Sequence, residues 1–308
     1  MPTAPSGHQL LFGFNFGSTA EADLPAMAPS IGLVPIGGAA PFEAWWYRGA
    51  VEYQRRGGVV VAVCEDFVAA VHQVDDERTV DIREAARQVY DELLDVVDEF
   101  GPLTIVRAWN YFSRINQGRG DEERYRQFSV GRAESFEASG LADVQSPPGT
   151  AIGGAAGSPF TVVLLASRHP CQLVENPRQM SAFEYPPDYG PRSPKFSRGG
   201  VLSLPCGGLF LISGTAAIVG HSSCRTEGIE GQAEETFRNL QSLLLSAGQE
   251  PDLSALDAVR VYLRDGADRE AVRPLIEARF GRDTHVTYLQ GDICRAELDL
   301  EIDGVVFA

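Results

Sequence analysis

The chain has 308 residues, 44% of them hydrophobic, with a formal net charge of −16 at neutral pH. That apolar fraction is ample for a core, and the length fits one large domain or two of ordinary size. So acidic a chain opposes non-specific nucleic-acid binding, because phosphates need a basic face, and arginines must converge locally wherever an anion is held.

Residues 1–56 are rich in Gly, Pro and Ala and contain Phe42-Glu-Ala-Trp-Trp-Tyr47, which reads as an irregular lead-in that covers part of the body with aromatics. A strand is expected over Gly58–Phe67. Apolar residues at three- and four-residue steps then predict a helix over Asp81–Phe100, ended by Gly101-Pro102. A strand over Leu103–Asn110, a helix over Glu122–Ala138, a Gly-rich loop over Gly149–Gly157 and a buried strand over Thr161–Ala166 follow. The second part repeats the plan: a strand over Gly208–Ile212, a helix over Glu230–Ala247, a strand over Leu256–Leu263, a helix over Asp268–Phe280, and last strands over His285–Leu289 and Ile293–Val306. Residues 83–116 and 231–265 share the order long helix, Gly turn, strand ending in an aromatic, which indicates an internal duplication. The domain reading is therefore a segment 1–56, a first half 57–200 and a second half 201–308, with the site in the cleft where halves or subunits meet.

From Ile293 to Ile302 apolar residues fall at every second position, which puts Glu297, Asp299 and Glu301 on one strand face with Arg295. Such a face can be solvated or it can do chemistry; alternation alone leaves both open.

The motifs Ile212-Ser-Gly-Thr-Ala-Ala-Ile-Val-Gly-His221, Glu235-Thr-Phe-Arg-Asn-Leu240, Tyr262-Leu-Arg-Asp265 and Cys294-Arg-Ala-Glu-Leu-Asp-Leu-Glu-Ile-Asp-Gly304 together resemble the YjgF/RidA fold. With Arg107-Ala-Trp-Asn-Tyr-Phe-Ser-Arg-Ile-Asn116 and Glu123-Arg-Tyr-Arg-Gln-Phe-Ser-Val-Gly-Arg-Ala133 added, the chain after about residue 40 resembles the chorismatases of actinobacterial secondary metabolism. The resemblance implies an α+β fold of two RidA-like (chorismate-mutase-like) halves, each a mixed sheet with helices on one face. It also implies cleavage of chorismate with release of pyruvate, without a cofactor. RidA-like sheets commonly associate as trimers, so a homotrimer is the analogy-based expectation.

Carried over motif by motif, the substrate-holding groups are Tyr125 with Arg132 and Tyr185 with Arg198, and the catalytic carboxylate is Glu301. Chorismate is a dianion, and two Arg/Tyr pairs suit it. Tyr125 and Arg132 are seven residues apart, so they share one helix face. Cleaving the enol ether needs a proton delivered to the enolpyruvyl methylene, and a carboxylic acid in a partly apolar pocket can keep and donate one. Glu297 and Asp299 would raise the Glu301 pKa if they share its pocket, and Arg295 would oppose them. By the resemblance, Cys294 points to the branch that makes 3-hydroxybenzoate without water. A second branch position lies in Gly214-Thr-Ala-Ala217, where Ala rather than Gly goes with hydrolysis to a dihydroxycyclohexadiene carboxylate. Ala217 is the candidate there, and it keeps the product open.

Other signals are weaker. The five cysteines, Cys64, Cys171, Cys206, Cys224 and Cys294, are odd in number and never in a Cys-x-x-Cys arrangement, which argues against disulfides or zinc and makes most of them core fillers. His221 fits a site or a structural role equally. Gly153-Gly-Ala-Ala-Gly157 lacks a nucleotide-binding pattern, and no Gly-x-Ser-x-Gly elbow is present. No secretory signal or transmembrane-length apolar run is seen, so a cytoplasmic protein without membrane contact is expected. The rivals are an imine deaminase, which leaves Tyr125 and Arg132 unexplained, and a non-catalytic small-acid binding protein.

Overall fold

The lead-in is more regular than its glycine and proline content suggests. The structure, a computed structural model, describes residues 3–16, 26–37, 40–75, 81–224 and 228–307, so positions 1–2, 17–25 and 38–39 of the lead-in lie outside the described residues. Strand β1 (His8–Asn15) pairs antiparallel with β3 (Phe42–Arg48), while the two-residue β2 (Val34–Pro35) lies elsewhere. Phe12 and Phe14 of β1 and Trp45 of β3 close on Trp109 with ring centroids 5.3, 5.5 and 5.8 Å away, so the aromatics do cover the body.

The first half runs β4 (Glu52–Arg56), β5 (Val59–Val63), β6 (Phe67–Val74), α1 (Ile82–Asp98), β7 (Thr104–Ser113), α2 (Arg124–Ala138), β8 (Gly149–Gly154) and β9 (Phe160–Ser167). Asp81 starts α1 by accepting from the Arg83 amide at 2.9 Å, and Gly101 with φ of 93° follows its end. The expected strand over Gly58–Phe67 is two strands, because the chain turns back at Cys64–Asp66. The expected Gly-rich loop is also a correction: Gly149–Gly154 is strand β8, parallel to β7. Its glycines permit close neighbours rather than turns. A Cβ on Gly153 would sit 2.6 Å from Ile115 Cγ2 and 2.7 Å from Asp292 Cβ.

The second half runs β10 (Cys171–Val174), β11 (Gly199–Leu204), β12 (Gly207–Ala216), a small hairpin of β13 (Ile218–Val219) and β14 (Ser222–Ser223), α3 (Gly228–Ser246), β15 (Ala258–Leu263), α4 (Arg269–Arg279), β16 (His285–Gln290), β17 (Asp292–Ile293) and β18 (Leu300–Phe307). The expected last strand over Ile293–Val306 is interrupted. Residues 294–299 bend out of the sheet, and a turn closes with the Leu298 amide on the Arg295 carbonyl at 3.0 Å.

Two seven-stranded sheets result, ordered β17-β8-β7-β9-β6-β5-β4 and β2-β16-β15-β18-β12-β11-β10. Position by position they match, with one parallel pair (β7 with β8, β15 with β16) and antiparallel neighbours elsewhere. Each sheet ends on a two-residue strand, β17 or β2, that lies far in sequence from the rest of that sheet. Helices α1 and α2 cover one face of the first sheet, α3 and α4 one face of the second. The other faces meet each other and the β1–β3 hairpin in a central core around Trp109, Tyr111 and Tyr262. Alternation sorts the side chains: on β18, Leu300, Ile302 and Val306 go under the helices, and Glu301, Asp303 and Val305 point to the centre.

Candidate active site

The central core is interrupted by two adjoining spaces that share Tyr125, Phe196 and Cys294 as walls. The inner chamber is also lined by Arg132, Thr150, Gly214 and Glu301. The outer, larger one opens past Tyr185, Tyr189, Glu123 and Arg295. Helix α2 supplies Tyr125 and Arg132 from the first half, and β12 and β18 supply Gly214 and Glu301 from the second.

Glu301 sits between Ala216 and Tyr262 in the sheet and is only 4% exposed. Its carboxyl lies over Gly214, where a Cβ would stand 1.9 Å from Oε1. Among the described residues that carboxyl makes no hydrogen bond. Burial, with the Asp303 charge adding to it and Arg107 and Arg198 opposing, pushes its pKa up to about 8. The expected repulsion partners are therefore corrected: Glu297 accepts from Ser223 and Asp299 from Gln232, both at 2.9 Å, outside the chamber. They leave Glu301's face because the strand begins only at Leu300.

Arg132 is 2% exposed, lies 4.8 Å from the Phe128 ring centroid, and leaves its Nε without a partner. The guanidinium also hydrogen-bonds the Tyr90 hydroxyl, and its free Nε leaves one buried N–H for an anion. Arg198 also has an unpartnered Nε, but it stands behind the wall rather than in it. Its Nη2 donates to the Met180 carbonyl at 2.7 Å and to the Tyr185 hydroxyl at 2.9 Å, which fixes that ring at the outer chamber. Tyr125 is raised in pKa by burial and stays a neutral phenol. Cys294 is a half-buried wall beside Glu301, and desolvation pushes its thiol up to about 12, which keeps it a neutral group.

Ala217 and Ala216 are buried in the central core, and the member of that segment that lines the chamber is Gly214. Where β12 ends, Asn239 donates to the Ala216 and Ile218 carbonyls at 3.0 and 2.9 Å and so holds the segment. Sequence reasoning missed Gly214, Thr150 and Phe196. Arg295, expected beside Glu301, lies at the outer space instead. Arg295 lies 4.2 Å from the Tyr189 ring centroid, and its Nη1 donates to the His221 carbonyl at 2.8 Å. His221 bonds Tyr189 through Nδ1 at 3.2 Å and so supports the entrance. The cysteines are free; Cys64 is buried in the central core, Cys171, Cys224 and Cys294 pack partly buried against it, and Cys206 is exposed, so the core-filler expectation holds for most of them.

An acid without a hydrogen bond, a buried guanidinium with a free Nε and hydroxyl-bearing walls can protonate and cleave a small carboxylate substrate. The comparisons agree with that chemistry. Residues 43–166 match the family model described as chorismatase FkbO/Hyg5-like, N-terminal. A 3-hydroxybenzoate synthase of Streptomyces hygroscopicus is 32% identical over 98% of this chain and 93% of its own length. A chorismatase of Streptomyces rapamycinicus is 35% identical over 86% of this chain and 81% of its own. A solved chorismatase structure superposes with a TM-score of 0.87 at 30% identity, covering 96% of this chain and 92% of that one. With its paired α+β halves and a chamber between them, this chain belongs to the chorismatase family.

Proposed function

We propose that the protein converts chorismate to 3-hydroxybenzoate and pyruvate. The observation that carries this is Glu301, buried without a hydrogen bond and pushed up to about 8, in the same chamber as Arg132, whose Nε has no partner. Arg132 and Tyr125 hold one carboxylate of the substrate, and Tyr185, fixed by Arg198, borders the outer part. Glu301 gives its proton to the enolpyruvyl methylene, which makes the side chain an oxocarbenium ion and a good leaving group. The ring hydroxyl displaces the ether through an arene oxide that opens and aromatises. The atoms balance without water: the proton spent on the methylene is made up by the one the ring hydroxyl releases.

Gly214 favours this product over the hydrolytic one. It is the chamber-lining member of the segment whose Gly or Ala separates the branches, and Cys294 faces the same space. Incubation with chorismate in heavy-oxygen water, with mass spectrometry of the products, tests the reading. Unlabelled 3-hydroxybenzoate with pyruvate is expected. A dihydroxycyclohexadiene carboxylate would move the enzyme to hydrolysis, and bound but unchanged chorismate would make it a binding protein.

A further inference from the structure

Glu301 and Asp303 are two residues apart on one face of β18 and both are buried, yet their surroundings are opposite. The Asp303 carboxylate accepts from Arg107 Nη2 and Thr150 Oγ1 at 2.9 Å each, from Arg260 Nη1 at 3.2 Å and from Tyr262 Oη at 3.3 Å. Arg260 is held in turn by Glu43, whose Oε2 accepts from its Nε at 2.8 Å. Two guanidiniums and two hydroxyls meet the Asp303 carboxylate, whereas the Glu301 carboxyl is buried without a hydrogen bond, and burial without compensation favours its neutral form.

We propose that Asp303 is a positioning residue of the reaction: its anchored negative charge holds Glu301 in the acid form that donates to the substrate. Thr150 ties the two together, because the hydroxyl that donates to Asp303 also accepts from the Gly214 amide at 3.1 Å, and Glu301 lies over Gly214. The groups around Glu301 are Asp303 on its own strand, Arg107 on β7, Tyr262 on β15, Arg198 ahead of β11, Arg132 and Tyr125 on α2, and Cys294 after β17. The adjoining β12 brings only Gly214 and Ala216. Asp303 is the one anion in that set, so removing it leaves Glu301 among cations and neutral groups.

This rests on Glu301 as the proton donor, and the experiment separates the two claims. The dependence of kcat/KM for chorismate on pH, from about 5 to about 10, is measured for the parent, Asp303→Asn and Arg260→Gln. In Asp303→Asn the alkaline limb should move down by about one pH unit or more. In Arg260→Gln, which strips a cation from Asp303 outside the chamber, it should move up. A purely structural role would lower the rate at every pH with the limb in place, and limbs that stay put in both variants overturn the proposal. Parent-like activity in Glu301→Gln would instead overturn the assignment of the donor. Should a variant fail to fold, carboxyl ¹³C NMR of the parent decides. A glutamate resonance titrating in the alkaline range, absent from Glu301→Gln, supports the proposal; a Glu301 signal that ionises in the ordinary acid range sinks it.

Discussion

The two halves share a strand order and differ in what they leave open. By the pairing of Ala108 with Gly149 and of Val261 with Tyr288, the Gly149-Thr150-Ala151 run of β8 corresponds to Tyr288-Leu289-Gln290 of β16. Small residues leave the chamber beside α2. In the other copy Tyr288 lies 5.1 Å from the Arg269 guanidinium, which is packed against Gly37, and the equivalent space is filled. The acids are distributed in the opposite sense. Val163 and Leu165 of β9 pair with Trp109 and Arg107, where β18 pairs Glu301 and Asp303 with Tyr262 and Arg260. One copy thus contributes space and a guanidinium and the other the acid, so neither half carries a site alone.

The sharpest way to break this comparison is at the acid. Glu301→Gln should lower kcat by about 10²- to 10⁴-fold while chorismate still binds, measured by turnover and by calorimetry. A parent-like rate would return the acid strand to the status of its apolar counterpart. Next comes the space. Gly149→Tyr gives β8 the side chain of β16 at a point where even a Cβ would be 3.2 Å from Phe196 Cβ, and chorismate affinity should fall by about 10- to 100-fold. The reciprocal change, Tyr288→Ala, should cost about 3 kcal/mol in chemical denaturation and leave turnover unaltered, since nothing is expected to bind there. The smallest effect belongs to Cys294→Ala. Its thiol, pushed up to about 12, stays neutral, so the rate should stay within about threefold, with any change showing in the ratio of aromatic to dihydroxy product by chromatography.

Helix α1 was legible because its apolar residues keep one face over the whole of Ile82–Asp98, and the duplication because α1 and α3 each lead through a glycine into a central strand. Strand β8 was not, since glycine usually interrupts strands, and here close approach to Ile115 and Asp292 decides. Alternation placed Glu301 opposite the helix-facing residues correctly, but period two cannot tell a solvated face from one that meets a second sheet. The break at residues 294–299 reassigned its charged neighbours from Glu297 and Asp299 to Asp303. For the same reason the branch segment was found and its lining member missed. Ala217 against Gly214 depends on where β12 leaves the ladder, which Asn239 sets from a helix elsewhere in the chain.

Strand β17 pairs with β8 of the first sheet, and within seven residues the chain is back in the second sheet as β18; β2 makes the reverse stitch from the lead-in to β16. Sheets sewn together in this way lose their autonomy. Separating them would undo an edge of each, so melting should be a single cooperative event. The linkage runs through Cys294 and Glu301, which makes the wall and the acid of the chamber consequences of one short thread.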